Sequence, residues 1–352
     1  MVRTTCLKML VCIVTITLSS GCFNNNKYKV TSADLGRIKV DSLPDISNVS
    51  EIRFYKDDIY ITYETREGWG QQFVSRYSID EEKVAINFEK EYFKKDNGYY
   101  QVFVPLLFTD AEGALYVSGR DEPAVYHVNS DGSAQANGDN VITNGASAPY
   151  EMVMEARQVF HNAPNEYLFI GRQPKDGIQG LYLSHNDAGS VDITEVTRIV
   201  YDRAYPSWTV NFGRMTFDSG RGIGAFAFQM FPAVQFIDVT DGTNFNVVLP
   251  DTESGELITE GADLWEQNAV QFKDITSNSF HIYALYWGMS FAEAESLTKA
   301  GKGESRIIRF DWEGNITDIY VLDRCISSIG VSEDDSSIIC QDGKDFYCMT
   351  VD

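Results

Sequence analysis

A run of alternating apolar residues, a tight polar turn and an aromatic-rich strand recurs six times along this chain. The copies read 52–63 around Lys56-Asp57-Asp58, 102–118 around Asp110-Ala111-Glu112-Gly113, and 159–170 around Asn162-Ala163-Pro164-Asn165. They continue as 215–228 around Asp218-Ser219-Gly220, 272–286 around Ser277-Asn278, and 329–340 around Glu333-Asp334-Asp335. Turn centres near 57, 110, 163, 219, 277 and 334 give spacings of 53, 53, 56, 58 and 57. A period of this length marks a repeat architecture, in which each unit buries its apolar faces against its neighbours.

A second turn follows in register, at Asp80, Asp131-Gly132, Asp187-Ala188-Gly189, Asp241-Gly242 and Glu313-Gly314. An Asp-Gly step after an alternating strand is a hairpin signal, because Gly accepts the positive φ of a tight turn. Four antiparallel strands per copy, six times over, predict an all-β fold: a single six-bladed β-propeller. The last copy supplies three strands before Asp352, and 36–40 is read as the outer strand that closes the last blade. Such closure protects edges that a linear array would expose. The spacing predicts one helix, over 291–300, with Ser290 and Glu293 as a capping box and Gly301 at its end. It lies in an insertion, 287–304, between the second and third strands of the fifth blade. That insertion reads either as a lid or partner-binding element or as a solvated decoration.

The first 21 residues stand apart. Arg3 and Lys8 precede a short apolar run, 7–18, and Ser19, Ser20 and Gly21 lead into Cys22. This is the order of a secretory signal, and no run of 18 apolar residues occurs that would span a membrane. Gly before Cys resembles a bacterial lipobox, with acylation of Cys22; Ser19 stands where Leu is usual, so an ordinary cleaved signal is the alternative. The division expected is signal 1–21, tether 22–32 and propeller 33–352. Loss of Arg3 and Lys8 takes the net charge from −22 to −24. A surface this acidic repels phosphates and excludes a nucleic-acid partner.

The stretch Arg306-Ile307-Ile308-Arg309-Phe310-Asp311-Trp312-Glu313-Gly314-Asn315, then Tyr320-Val321-Leu322-Asp323 and 326–331, resembles the TolB-like six-bladed propeller lipoproteins abundant in Bacteroidetes. Ala33-Asp34-Leu35-Gly36-Arg37 fits the start of that family, while Ile316 departs from it where Pro is common. The resemblance implies a lipoprotein of the cell envelope, anchored to the outer membrane on its periplasmic or surface side. It brings no assigned reaction.

Catalytic signatures are absent: the sequence holds no GxSxG elbow and no HExxH. The histidines, His127, His161, His185 and His281, are scattered over four blades. Gly220-Arg221-Gly222-Ile223-Gly224 sits in a hairpin and opens no helix, so it is not a nucleotide loop. No cofactor and no metal site is read. Arg66, Arg120 and Arg172 follow their turn centres by 9, 10 and 9 residues and so hold equivalent places on the face that carries the blade-to-blade crossovers. A guanidinium fork suits a carboxylate, sulfate or phosphate; the alternative is pairing with Glu67, Asp121 and Asp176. Tyr100, Tyr150, Trp208 and Trp265 precede the innermost strands, and Trp69 and Trp287 lie in the loops between second and third strands. Such aromatics serve as sugar or peptide platforms or pack between blades. Cys340 and Cys348 straddle a turn and either form a disulfide or remain, with Cys325, as thiols.

Three readings of function follow: a non-catalytic module binding a glycan, peptide or envelope protein; a glycosidase or lactonase-type enzyme; or a structural scaffold. A monomer held to the membrane by lipid on Cys22 is expected.

Overall fold

The hairpins close where short polar side chains replace backbone partners. Asp110 Oδ1 accepts the amides of Glu112 (3.0 Å) and Ala114 (2.7 Å). Asp311 Oδ1 does the same for Glu313 (3.1 Å) and Asn315 (2.7 Å). Gly242 and Gly314 supply the positive φ (73° and 87°) that the Asp-Gly and Glu-Gly steps predicted. Many of the chain's acids are thus turn acceptors as well as surface charge.

A computed structural model gives the architecture. It describes residues 28–351 apart from 41–45, 66–71, 81–83, 93–104, 111, 119–123, 130–133, 141–157, 173–175, 188–189, 251, 253–256, 260–263 and 344. β1 (Lys29–Ser32) and β2 (Gly36–Val40) come first. Blade 1 is β3 (Ile46–Tyr55), β4 (Asp58–Thr65), β5 (Gln72–Asp80) and β6 (Ala85–Tyr92); blade 2 is β7 (Leu106–Thr109), β8 (Leu115–Ser118), β9 (Ala124–Val128) and β10 (Ala134–Asn140). Blade 3 is β11 (Val159–Ala163), β12 (Glu166–Arg172), β13 (Gln179–Asp187) and β14 (Ser190–Arg198). Blade 4 is β15 (Gly213–Asp218), β16 (Ile223–Phe228), β17 (Ala233–Asp238) and β18 (Asn244–Val248). After α1 (Leu264–Gln267), blade 5 holds β19 (Val270–Ser277), β20 (Ile282–Met289), α2 (Phe291–Lys299), β21 (Ser305–Phe310) and β22 (Ile316–Leu322). Blade 6 is β23 (Ser328–Val331), β24 (Ser337–Gln341) and β25 (Phe346–Thr350).

The ring closes as the repeat requires. Gly36, Arg37 and Ile38 of β2 pair antiparallel with Cys348, Tyr347 and Phe346 of β25, making the fourth strand of blade 6. The same strand runs on, Lys39 and Val40 pairing in parallel with Ala85 and Ile86 of β6, so blades 6 and 1 share one eight-stranded sheet. β1 adds a strand that the sequence did not announce. Residues 29–32, read as tether, lie parallel to β22 and make blade 5 five-stranded. α1 is likewise an addition, whereas α2 has its expected cap: Ser290 Oγ accepts the Glu293 amide at 3.3 Å and Gly301 turns out at φ 64°.

The core lies between blades. Ile38, Ile52, Ile59, Ile61, Ile339 and Phe346 fill the seam of blades 6 and 1, and Phe236, Phe272, Ile308 and Phe310 that of blades 4 and 5. Strand alternation delivers each apolar row to one seam, and the parity decides the cysteines. Cys340 pairs with Tyr347 and Cys348 with Ile339, so the two sulfurs occupy opposite faces of blade 6. Cys340 belongs to the seam with blade 5 and Cys348 packs toward blade 1, and all three described cysteines are free. The disulfide reading is corrected on that ground. Burial pushes the Cys340 thiol well up from its ordinary value.

The innermost strands approach closely where glycine permits it. A Cβ on Gly330 would meet the Ile52 carbonyl at 2.6 Å and Ile52 Cγ2 at 2.7 Å. Gly330→Ala is expected to lower the free energy of unfolding by about 2 kcal/mol, measured by urea denaturation; a loss of only a few tenths would show that this seam is looser than described.

Candidate functional site

Among the described residues, the axis of the ring and its crossover face are candidate places for a ligand. The innermost strands of all six blades line the axis, and about 30 Å³ of space remains there, room for one or two waters. The polar groups around it are engaged with one another. Glu51 accepts from Arg53 Nε (3.1 Å) and from the Leu107 amide of blade 2 (2.8 Å). Gln158 accepts the Met215 amide of blade 4 at 2.9 Å. Arg214 Nη1 donates to Asp274 Oδ1 of blade 5 at 3.0 Å and to the Ser50 carbonyl of blade 1. The other Asp274 oxygen accepts from Ser328 Oγ (2.8 Å) and the Ile329 amide (3.0 Å) of blade 6. The axis is a tie between blades.

The crossover face offers more. Arg172 ends β12, and its guanidinium lies 4.9 Å from the ring of Trp208, which stands in the crossover from blade 3 to blade 4. Cation–π contact of this kind fixes the plane of the guanidinium. The crossover is itself well built. Fully buried Asn211 donates from Nδ2 to the carbonyls of Tyr205 (2.7 Å) and Ser207 (2.8 Å), and its Oδ1 accepts the Tyr201 amide at 2.9 Å. The ring of Tyr201 stacks on Phe231 at 4.5 Å. Trp208 is therefore held by a satisfied polar knot rather than a loose loop. Asp176, one of the acids considered as a rim partner, lies 3.6 Å from Arg198.

Of the residues singled out from sequence, Arg66, Arg120, Trp69, Tyr100 and Tyr150, and the acylation site Cys22, lie outside the described residues. Trp265 lies in α1. Trp287 is 9% exposed; its indole N–H donates to the Ile326 carbonyl and its ring meets Phe291 edge-on at 5.7 Å. It packs in the seam of blades 5 and 6 instead of standing as an open platform. Among the histidines, His281 Nδ1 lies 2.7 Å from Asp335 Oδ2, whose other oxygen accepts from Tyr283 at 2.8 Å and Asn278 at 2.6 Å. This cluster binds the hairpins of blades 5 and 6.

Sequence reasoning missed Lys273. Its ammonium sits 5.4 Å from the Trp287 ring and 5.0 Å from that of Phe291, at the start of α2. The signal was present: a lysine within the otherwise buried strand Val270–Phe272 and Asp274–Ile275 must find special surroundings. Burial first, and then the nearby Arg214, lower its pKa to about 8. The folded chain gives up this proton near pH 8, whereas the unfolded chain keeps it up to the ordinary lysine range. The unfolded state thus holds the extra proton across that window, and stability rises with pH through it. Relative to Lys273→Met, the wild type should gain about 2 kcal/mol between pH 7.5 and 10, read by urea unfolding at each pH; parallel curves for the two proteins would refute the coupling.

Residues 190–334, from β14 to the turn after β23, match the family described as TolB-like 6-blade propeller-like. A search of the curated proteins finds no match. Among solved structures, a member of the DUF4221 family from Bacteroides vulgatus ATCC 8482 is 11% identical, with 91% of this chain and 96% of that chain covered at a TM-score of 0.55. A structural genomics protein of unknown function from Bacteroides thetaiotaomicron VPI-5482 is 10% identical, with 93% and 75% covered at a TM-score of 0.53. At such identities the likeness is one of fold. The family match spans the outer strand of blade 3, blades 4 and 5 and the first strand of blade 6, and the evenly spaced repeat with the ring closed by β2 gives the described chain the architecture of a TolB-like six-bladed propeller.

Proposed function

We propose that the protein is a non-catalytic binding propeller of the cell envelope, anchored by lipid on Cys22, whose crossover face takes a carboxylate-bearing carbohydrate through Arg172 and Trp208. The observation that carries this reading is the stacked pair itself, 4.9 Å apart on a crossover fixed by buried Asn211. An aromatic face beside a cation suits a sugar ring that carries an acid: the ring plane packs on the indole and the carboxylate meets the guanidinium edge. The axis supports the same division of labour, since both of its carboxylates, Glu51 and Asp274, are occupied by donors from neighbouring strands. For the anchor, the support is the positive start, the short apolar run and Gly21-Cys22.

The test is a glycan array probed with the acyl-free protein, followed by titration of the best acidic hit. Trp208→Ala and Arg172→Ala should each weaken binding about tenfold and leave the melting temperature within a degree or two. Unchanged affinity in both variants would remove this pair as the site. Selective capture of acidic peptides with the same mutational pattern would keep the site and change the ligand class.

A further inference from the structure

The outer rim of blades 4 and 5 carries exposed apolar side chains. In β18, Phe245 and Val247 pair with Phe236 and Val234, and cross-strand partners share a face. Phe236 and Val234 belong to the seam with blade 5, so Phe245 and Val247 face that blade as well. Phe245 stacks on Phe236 at 5.4 Å and lies so close to the β21–β22 hairpin that a Cβ on Gly314 would meet it at 2.8 Å. From the other side, Val30 of β1 pairs with Ile319, whose side chain packs on the same seam. Val30 and Phe245 thus flank the outer mouth of one seam, yet they are 61% and 51% exposed. Val248, on the opposite face of β18, is 48% exposed. Half of the large apolar side chains that stand exposed among the described residues gather at this rim, the others being Phe88, Tyr205 and Phe280.

The chain itself says what covers it. β1 opens at Lys29, seven residues after Cys22, so at most about 25 Å of backbone separates that cysteine from the rim. We infer that the outer rim of blades 4 and 5, around Val30, Phe245 and Val248, is the surface that lies against the lipid bilayer, with the propeller held edge-on and its crossover face turned along the membrane. This rests on the lipid anchor proposed above. The acidity of the chain selects an uncharged or zwitterionic lipid surface, because an anionic one would repel it.

The experiment reconstitutes the full-length protein, expressed with its own leader, into phosphatidylcholine vesicles that carry a nitroxide on the acyl chain near the headgroup. In a background with Cys325, Cys340 and Cys348 replaced by Ala, environment-sensitive probes are placed singly through Val30→Cys, Phe245→Cys and Val248→Cys, with Asp57→Cys and Glu112→Cys on exposed hairpins of blades 1 and 2 as controls. Rim probes should be quenched at least about twofold and the control probes hardly at all, since quenching requires contact with the acyl region. Mass spectrometry of Cys22 separates the two claims. An acylated, vesicle-bound protein whose rim probes are unquenched, or quenched no more than the controls, overturns the rim while the anchor stands. A protein without lipid on Cys22 that still floats with the vesicles and shows rim quenching supports the rim and overturns the anchor; without flotation, both fall. Protection of the rim by a second copy, seen as a dimer with no lipid quenching, also overturns it.

Discussion

Asp274 sits where the six innermost strands converge and gathers donors from three consecutive blades: Arg214 from blade 4, the Ile275 amide of its own strand, and Ser328 and Ile329 from blade 6. Arg214 reaches on to blade 1. A propeller's blades touch mainly through apolar seams, which tolerate sliding; a buried carboxylate with directional bonds does not. The cost of desolvating that carboxylate is offset only when every partner is in place. The hub therefore ties blades 4, 5, 6 and 1 at one fixed spacing.

This has a consequence for where ligand chemistry can occur. With the axis holding a water-sized space, the proposed recognition uses the crossovers and the loops between second and third strands. Two of the aromatic–cation pairs described there differ in character. Arg172 on Trp208 stands on an ordered crossover, while Lys273 is folded under α2 between Trp287 and Phe291 and holds the insertion to the inner strand. Many of the chain's carboxylates are already turn acceptors or inter-blade ties.

The repeat was legible because hairpin chemistry is local: an aspartate that caps two amides, followed by a residue able to take positive φ, acts the same way in any blade. Closure by 36–40 was legible by counting strands. What needed three dimensions was parity and distance. Cys340 and Cys348 are separated by a turn that invites pairing, but the register places them one step out of phase and on opposite faces. β1 joins blade 5 by parallel pairing with a strand nearly 290 residues away, for which no turn signal exists. Trp287 looked like a loop aromatic, and the fold extends β20 through it and buries it. Lys273 shows the reverse case, where a polar residue in an apolar strand was visible but its aromatic clasp joined Trp287 of the neighbouring strand to Phe291 of an inserted helix.

The claim on which the rest depends is that the axis is a structural hub and the crossover face is where binding occurs. The most direct measurement is urea unfolding of Asp274→Asn together with ligand titration of the folded variant. The expected result is a loss of about 3 kcal/mol or more in stability, with affinity at the Arg172–Trp208 pair unchanged. Stability within about 0.5 kcal/mol of wild type, or a folded variant that no longer binds, would contradict it.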